Sequence, residues 1–415
     1  MRWRRLRAVV LLAATVLGTL PATAQAQPAP PPPPVITPDT SDCPYRIAPP
    51  PAVDLSEVPV PGVLAPGPLP LPEEPVGGRQ MGECGTVLPD GAPLLPPDIT
   101  ATSWMIADLD SGEVLAAKDP HARHRPASTI KLLTALVAGE RLDADRVVEG
   151  TQADADQEGS RAGIGPGGRY TVAQLLAGLL LVSGNDTAHA LAREVGGVPA
   201  MLGAMNAKAR QLGALDTRAG SVSGLDAPGM SSSAYDLALV MRAVLDRPGF
   251  AQLLQIRQLE FPGFGGLPPF PLSNDNKLLA NYPGALGGKT GFTDDARHTY
   301  LGAADRDGRR LVAVLLRGEQ RPVRMWEQAA RLLDYGFALP AGDPVGELVD
   351  GPPSPSGEPS ETVSPAARPS PSPQGRPPTG PEPEGQDDAT VMAWVLVGAA
   401  GLAGLLTLAW RQRPR

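Results

Sequence analysis

Cysteine, histidine and aromatic residues are all scarce in this chain of 415 residues: two Cys, four His and an aromatic share of 4%. Two cysteines exclude a disulfide-dense scaffold. Neither lies at ligand spacing from His121, His124, His189 or His298, so no metal and no organic cofactor are expected. A core with so few rings has to be packed from Leu, Val and Ala. Basic charge is short as well. The formal net charge is −8, and the four Arg of Met1–Arg7 and the three of the last five residues have no acidic neighbour, so the stretch between them is more acidic than the whole. That argues against nucleic acid or an anionic membrane surface as partner. Cys43 and Cys84 stand in one Pro-rich region. A disulfide between them would close a long loop with little else to hold it, and two free thiols are the other reading.

The chain has 50 Pro and 47 Gly, and much of the Pro lies toward its ends. Met1–Arg7 is basic, Ala8–Leu20 is apolar, and Ala22-Thr23-Ala24-Gln25-Ala26 offers small-residue cleavage sites. Residues 1–26 therefore read as a secretory signal. Residues 27–97 form a Pro-rich region holding both cysteines, with Pro28–Pro34 suited to polyproline II. A polar Pro/Ser-rich linker follows the central part at 341–390. Val391–Trp410 carries no charge, and 20 residues at ~1.5 Å each match a ~30 Å hydrocarbon core. It reads as a transmembrane helix, with Arg411, Arg413 and Arg415 forming a cytoplasmic tail over 411–415. The chain is thus expected to be exported and held at the membrane by its C-terminal helix, with the central domain outside.

Residues 98–340 read as one mixed domain. Thr102–Leu109 and Glu113–Ala117 flank Asp110-Ser111-Gly112, a hairpin pattern. Helical spacing runs through Thr129–Gly139, Thr171–Val182 (with Thr171 as N-cap), Asp186–Val195, Pro199–Leu212 and Ser232–Leu245. A second hairpin joins His298–Ala304 to Arg310–Leu316, and an amphipathic helix covers Val323–Phe337. Strands at both ends with helices between them predict an α+β fold, an antiparallel sheet with segregated helices.

Three short motifs carry chemistry. In Ser128-Thr129-Ile130-Lys131 the first and last residues share a helical face, so the Lys131 amine can stand beside the Ser128 hydroxyl. A serine needs a base within reach, and a lysine serves only when burial or a nearby cation keeps it neutral. Ser183-Gly184-Asn185 follows the end of a helix and supplies a hydroxyl and an amide. Lys289-Thr290-Gly291 supplies a cation, a hydroxyl and room for a substrate backbone, a set suited to a terminal carboxylate. The glycine spacing of a phosphate-binding loop is missing ahead of Lys289. Singly each motif is weak; in this order, in an exported α+β domain, they form the signature of penicillin-binding proteins and serine β-lactamases.

The stretches Arg125–Leu136 (RPASTIKLLTAL), Tyr170–Ala188 (YTVAQLLAGLLLVSGNDTA) and Gly287–Ala303 (GGKTGFTDDARHTYLGA) resemble the low-molecular-weight D-alanyl-D-alanine carboxypeptidases, in particular the actinobacterial ones. The resemblance spans about residues 98–340. It implies the penicillin-binding protein/β-lactamase-like transpeptidase fold, a peptidoglycan stem-peptide substrate and β-lactams as inhibitors. It further implies that Ser128 is the nucleophile and Lys131 its general base. Ser183 would pass the proton on, Asn185 would hold the peptide amide, and Lys289, Thr290 and Gly291 would frame the substrate carboxylate. The N–H groups of Ser128 and Phe292 would form the oxyanion hole. Arg324 is matched as added positive charge near the carboxylate. The small all-β domain that follows the catalytic one in many relatives is replaced by the Pro-rich stretch.

Class A β-lactamases, on the same scaffold, use an extra glutamate for deacylation, and no convincing equivalent is found between Ser128 and Lys289. A crosslink-cutting endopeptidase and an inactive wall-binding scaffold are the remaining rivals; intact Ser128, Lys131 and Lys289 speak against the scaffold. His298 near Asp294 and Asp295 suggests a Ser-His-Asp set, but no Gly-x-Ser-x-Gly elbow accompanies it.

Overall fold

The computed structural model describes residues 43–340 and 342–352. The strands are β1 Thr86–Val87, β2 Ser103–Asp108, β3 Glu113–Lys118, β4 Val147–Glu149, β5 Arg169–Thr171, β6 Gln258–Phe261, β7 Phe270–Ser273, β8 Ala285–Thr293, β9 Arg297–Arg306, β10 Arg309–Gly318 and β11 Gly346–Glu347. The helices are α1 Lys131–Arg141, α2 Gln152–Ala155, α3 Val172–Leu181, α4 Asn185–Glu194, α5 Val198–Gln211, α6 Ala234–Leu245, α7 Pro248–Gln255, α8 Leu278–Asn281 and α9 Met325–Ala338.

One antiparallel sheet runs β1-β3-β2-β10-β9-β8, with β11 joining the outer edge of β3 beside β1. The first hairpin and the last meet where β2 pairs β10, from Leu311 opposite Asp108 to Leu316 opposite Ser103. The two faces follow from the period of two along each strand. Met105, Ala107, Val312, Val314 and Leu301 join the helical core, whereas Trp104, Ile106, Ala313, Leu315 and Tyr300 pack under α9. Both faces are covered, which is why β2 is buried at every position. The α+β arrangement is the one expected, with α9 alone on one face and the remaining long helices on the other.

Two local details position the site. Helix α1 is buried from Lys131 to Ala138 and so lies inside the helical layer instead of on its surface. Helix α3 starts in a capping box: Thr171 Oγ1 accepts from Gln174 N–H at 3.1 Å while Gln174 Oε1 accepts from Thr171 N–H at 2.8 Å. The hairpin of β6 and β7 and the helix α7 were not legible in the sequence.

The folded body continues past both expected edges of 98–340. Met81 and Val87 are buried, β1 pairs β3, and Val345 and Leu348 are buried beside β11. Cys43 and Cys84 are bridged. With a sequence separation of 41, the lost loop-closure entropy of the unfolded chain corresponds to about 4 kcal/mol. Among the described residues no helix is long and apolar enough to cross a membrane. The signal at 1–26, the linker beyond residue 352, the transmembrane reading at 391–410 and the tail at 411–415 lie outside the described residues.

Candidate active site

Ser128 sits in a single 3-10 turn, Ala127–Ile130, that runs directly into α1. Ala127 ahead of it holds φ at 46°, a left-handed value that costs an alanine energy and persists only where the surroundings enforce it. They do so from both sides. A Cβ on Gly291 of β8 would lie 2.8 Å from Ser128 N, and a Cβ on Gly224 would lie 2.7 Å from the same atom. Gly224 also has φ at 90°. Only glycine at both positions lets β8 and the 221–226 loop close on the turn. Thr299 of β9 adds a hydrogen bond from its Oγ1 to Pro126 O at 2.9 Å.

One turn of helix on, Lys131 Nζ lies 2.8 Å from Ser128 Oγ, 2.6 Å from Asn185 Oδ1 and 2.5 Å from Ser223 O. The side chain is fully buried. Burial first, and the charge of Lys289 second, hold its amine well below the usual lysine range, against an opposing pull from Asp186. A neutral amine has two protons and one lone pair. Asn185 Oδ1 and Ser223 O can take the two protons, which leaves the lone pair facing Ser128 Oγ. That is the geometry of a general base.

Asn185 opens α4 and is fixed in turn. Its N–H donates to Ser160 O at 2.7 Å and its Nδ2 donates to Glu158 O at 2.5 Å. The next residue, Asp186, is wholly buried and accepts from the N–H groups of Ala162, Gly163 and Ile164 at 2.9, 2.8 and 3.1 Å. Asp186 thereby ties the 158–164 loop against the site. Ser183 lies beyond the end of α3 with φ at 60°. Among the described residues its hydroxyl has no hydrogen-bond partner, so it is free to meet a substrate.

Among the described residues β8 is the edge of the sheet, with an unpaired side for a peptide to align on. Lys289 is buried there and donates from Nζ to Thr290 O at 2.9 Å. Burial lowers its amine to about 8, with Asp275 opposing. Thr290 and Gly291 are half-buried, and Phe292 is exposed, its ring 4.5 Å from that of His298.

The structure therefore brings Ser128, Lys131 and Asn185 into contact, and sets Gly291 of β8 against the Ser128 turn. Arg324 is an exposed residue at the N-cap of α9, and among the described residues no hydrogen bond links its side chain to the site. His298 bonds Gln320 and not a serine. His121 bridges Asp216 and Val76 O, while His124 is buried, with burial holding its ring down to about 3. Ser223 and Gly224 went unnoticed in the sequence, since one acts through its carbonyl and the other through the lack of a side chain. Asp186 was signalled only by standing next to Asn185.

Comparisons with known proteins place the chain in one family. A model of the D-alanyl-D-alanine carboxypeptidase family, peptidase S11, matches residues 92–320. D-alanyl-D-alanine carboxypeptidase DacB2 of Mycobacterium tuberculosis is 48% identical over 256 residues, covering 61% of this chain and 87% of that protein. DacD of Salmonella typhimurium is 34% identical over 255 residues, and the chain spans 64% of its length. The crystal structure of a D-alanyl-D-alanine carboxypeptidase from M. tuberculosis H37Rv superimposes with a TM-score of 0.61 at 47% identity, over 63% of this chain and 100% of that one. With the match extending over more than half of its residues, the chain belongs to the D-alanyl-D-alanine carboxypeptidases, a family of hydrolases acting on peptides.

Proposed function

We propose that this enzyme removes the terminal D-alanine from peptidoglycan stem pentapeptides through an acyl-enzyme on Ser128. The observation that carries the reading is the buried Lys131 amine, pushed toward its neutral form 2.8 Å from Ser128 Oγ. As Ser128 Oγ attacks the carbonyl between the two D-alanines, its proton passes to Lys131. The oxyanion rests on the N–H groups of Ser128 and Phe292. Collapse breaks the C–N bond, and the departing amine takes a proton by way of Ser183. Asn185 holds the peptide amide, and Lys289 with Thr290 holds the terminal carboxylate. Water then releases the shortened peptide by the same route in reverse.

β-Lactams are proposed to acylate the same serine. The polar linker and the apolar stretch 391–410 support an exported enzyme held at the outer face of the membrane, and the signal-like residues 1–26 support its export.

The direct test incubates detergent-solubilised full-length protein with a muramyl pentapeptide, with a crosslinked peptide dimer and with a fluorescent penicillin. Free D-alanine from the pentapeptide, together with a long-lived penicillin adduct, is the expected result. Rapid loss of the adduct without D-alanine would make it a β-lactamase, and cleavage of the dimer alone an endopeptidase.

Lys289 gives the reaction a pH signature. Its protonated form is the one that holds a carboxylate, and its amine is lowered from the usual lysine value to about 8, so the charge is lost as pH rises through that value. In kcat/KM, which reports free enzyme, the alkaline limb is expected near pH 8. Lys289→Arg stays protonated and should move the limb upward. An unchanged limb in that variant would remove Lys289 from carboxylate binding.

A further inference from the structure

The family match begins at residue 92, yet an earlier segment of the chain reaches the nucleophile's turn. Residues 43–70 form a strap, closed by the Cys43–Cys84 bridge and clamped from below by two buried arginines. Arg123 donates to the carbonyls of Ile47, Leu69 and Pro70 at 2.8, 2.7 and 3.0 Å, and to Asp216 at 2.9 Å. Arg125 donates to Pro50 O at 2.6 Å and to both carboxylate oxygens of Glu57, which the strap carries in.

Three segments meet at Arg125. Asp295, two residues past the end of β8, accepts from the strap's Val53 N–H and, at 3.3 Å, from Ser56 Oγ; it also lies 4.0 Å from Arg125 Nε. Asp226, at the end of the loop that supplies Ser223 and Gly224, accepts from Thr293 Oγ1 of β8 at 3.0 Å. Carboxylate oxygens of Glu57, Asp226 and Asp295 lie within 4.8 Å of one another. Burial, with Asp295 and Glu57 beside it, pushes Asp226 up to about 6, and a fixed cation relieves the repulsion that remains. Arg125 is that cation, and it is three residues ahead of Ser128, with Pro126 and the strained Ala127 between.

We propose that Glu57 is a positioning residue for Ser128: by a two-pronged ion pair it fixes Arg125, and so sets the Ser128 turn against both the Ser223 loop and the end of β8. Both sides matter to the chemistry. The loop carries a carbonyl on Lys131 Nζ, and β8 carries the Phe292 N–H assigned above to the oxyanion. A guanidinium–carboxylate fork fixes direction as well as distance. Without Glu57, the guanidinium turns to Asp295 or Asp226, and the Asp226–Thr293 link across the cleft is disturbed. The inference rests on Ser128 being the acylated serine.

The test measures the second-order rate of Ser128 acylation by a fluorescent penicillin, the kcat and KM of D-alanine release, and the melting temperature, on the full chain in detergent. Glu57→Gln is expected to slow acylation at least about tenfold and lower kcat with little change in KM, as small misplacements of reacting groups do. Glu57→Asp keeps the charge on a shorter arm and should fall between parent and Glu57→Gln. A folded Glu57→Gln protein that acylates at the parent rate, whatever its melting temperature, would overturn the proposal. Should Glu57→Gln not fold, a parent rate from Glu57→Asp would do so. A parent protein that takes up no label at Ser128 defeats the serine reading itself, a separate result that removes the basis of this one.

Discussion

Full-length protein carrying Ser128→Ala is expected to take up no fluorescent penicillin and to release D-alanine at least about 10⁵-fold more slowly than the parent, while melting at the same temperature. The size follows from what the hydroxyl supplies. Without it no acyl-enzyme forms, and only the oxyanion donors and substrate binding remain to assist water, which in serine hydrolases leaves roughly 10³–10⁴-fold over the uncatalysed rate. The melting temperature should hold because the lost atom supports little: Ser128 Oγ is 2.8 Å from Lys131 Nζ and 3.3 Å from Ser223 O, and Lys131 keeps Asn185 and Ser223 as acceptors. The turn is shaped instead by Ala127, by Thr299 and by the close approach of Gly224 and Gly291. Labelling that persisted in this variant would move the nucleophile elsewhere, and Ser183, with its free hydroxyl, would be the first place to look.

The two glycines also explain how much of the site was legible. Residues that act through their side chains left a mark: Ser128 and Lys131 through their spacing, Asn185 through its place after a helix, Lys289 through its motif. Groups that act through the backbone left none. Ser223 contributes a carbonyl, and its neighbours give no pattern that would single it out. The 158–164 loop shows neither helical nor strand periodicity, because its order comes from one buried acceptor, Asp186, whose partners are amide groups. The strap was read only as Pro-rich with a cysteine pair. Beyond the bridge and the Glu57 and Asp295 contacts, its place is set by carbonyls donated to by Arg123 and Arg125, and carbonyls carry no residue identity. For the fold, strong periods were enough for both hairpins and the long helices. The strands β6 and β7, with Pro271 within β7, and β11, two residues long, lie below what alternation can show. Arg324 was only a loose match, and it stands exposed at the N-cap of α9.

The same geometry bears on the β-lactamase alternative. Fast hydrolysis of an acylated serine needs a base placed for water. Among the described residues no carboxylate hydrogen-bonds Ser128 or Lys131. Asp186 is occupied by backbone N–H groups, and Glu158 has an exposed side chain and meets Asn185 only through its carbonyl. Deacylation then falls to Lys131 and Ser183 alone, which fits a long-lived penicillin adduct.

That dependence on one amine sets the largest effect after the loss of Ser128. Lys131→Met is expected to slow acylation about 10³-fold or more, near 4 kcal/mol of barrier, toward the upper part of what a single general base contributes. Methionine keeps the length and removes both lone pair and charge. The fold should tolerate it, because an amine already driven toward its neutral form by burial does not rely on a charge to remain inside. Against that stand two acceptors, Asn185 Oδ1 and Ser223 O, that lose a donor at about 1–3 kcal/mol each if left dry. Water entering from the cleft limits this, so a modest drop in melting temperature is expected with a collapse of rate. The parent supplies a second check. Its acylation rate should rise with pH through the depressed value of Lys131, since only the unprotonated amine accepts, and that acidic limb should vanish in Lys131→Met. A variant that acylates within about tenfold of the parent, with the limb intact, would shift the base to the only other buried amine facing the cleft among the described residues, Lys289, acting through Ser183. The rank of the two lysines follows from position: Lys131 touches Ser128 Oγ directly, whereas among the described residues the one hydrogen bond of Lys289 is with its own strand at Thr290 O.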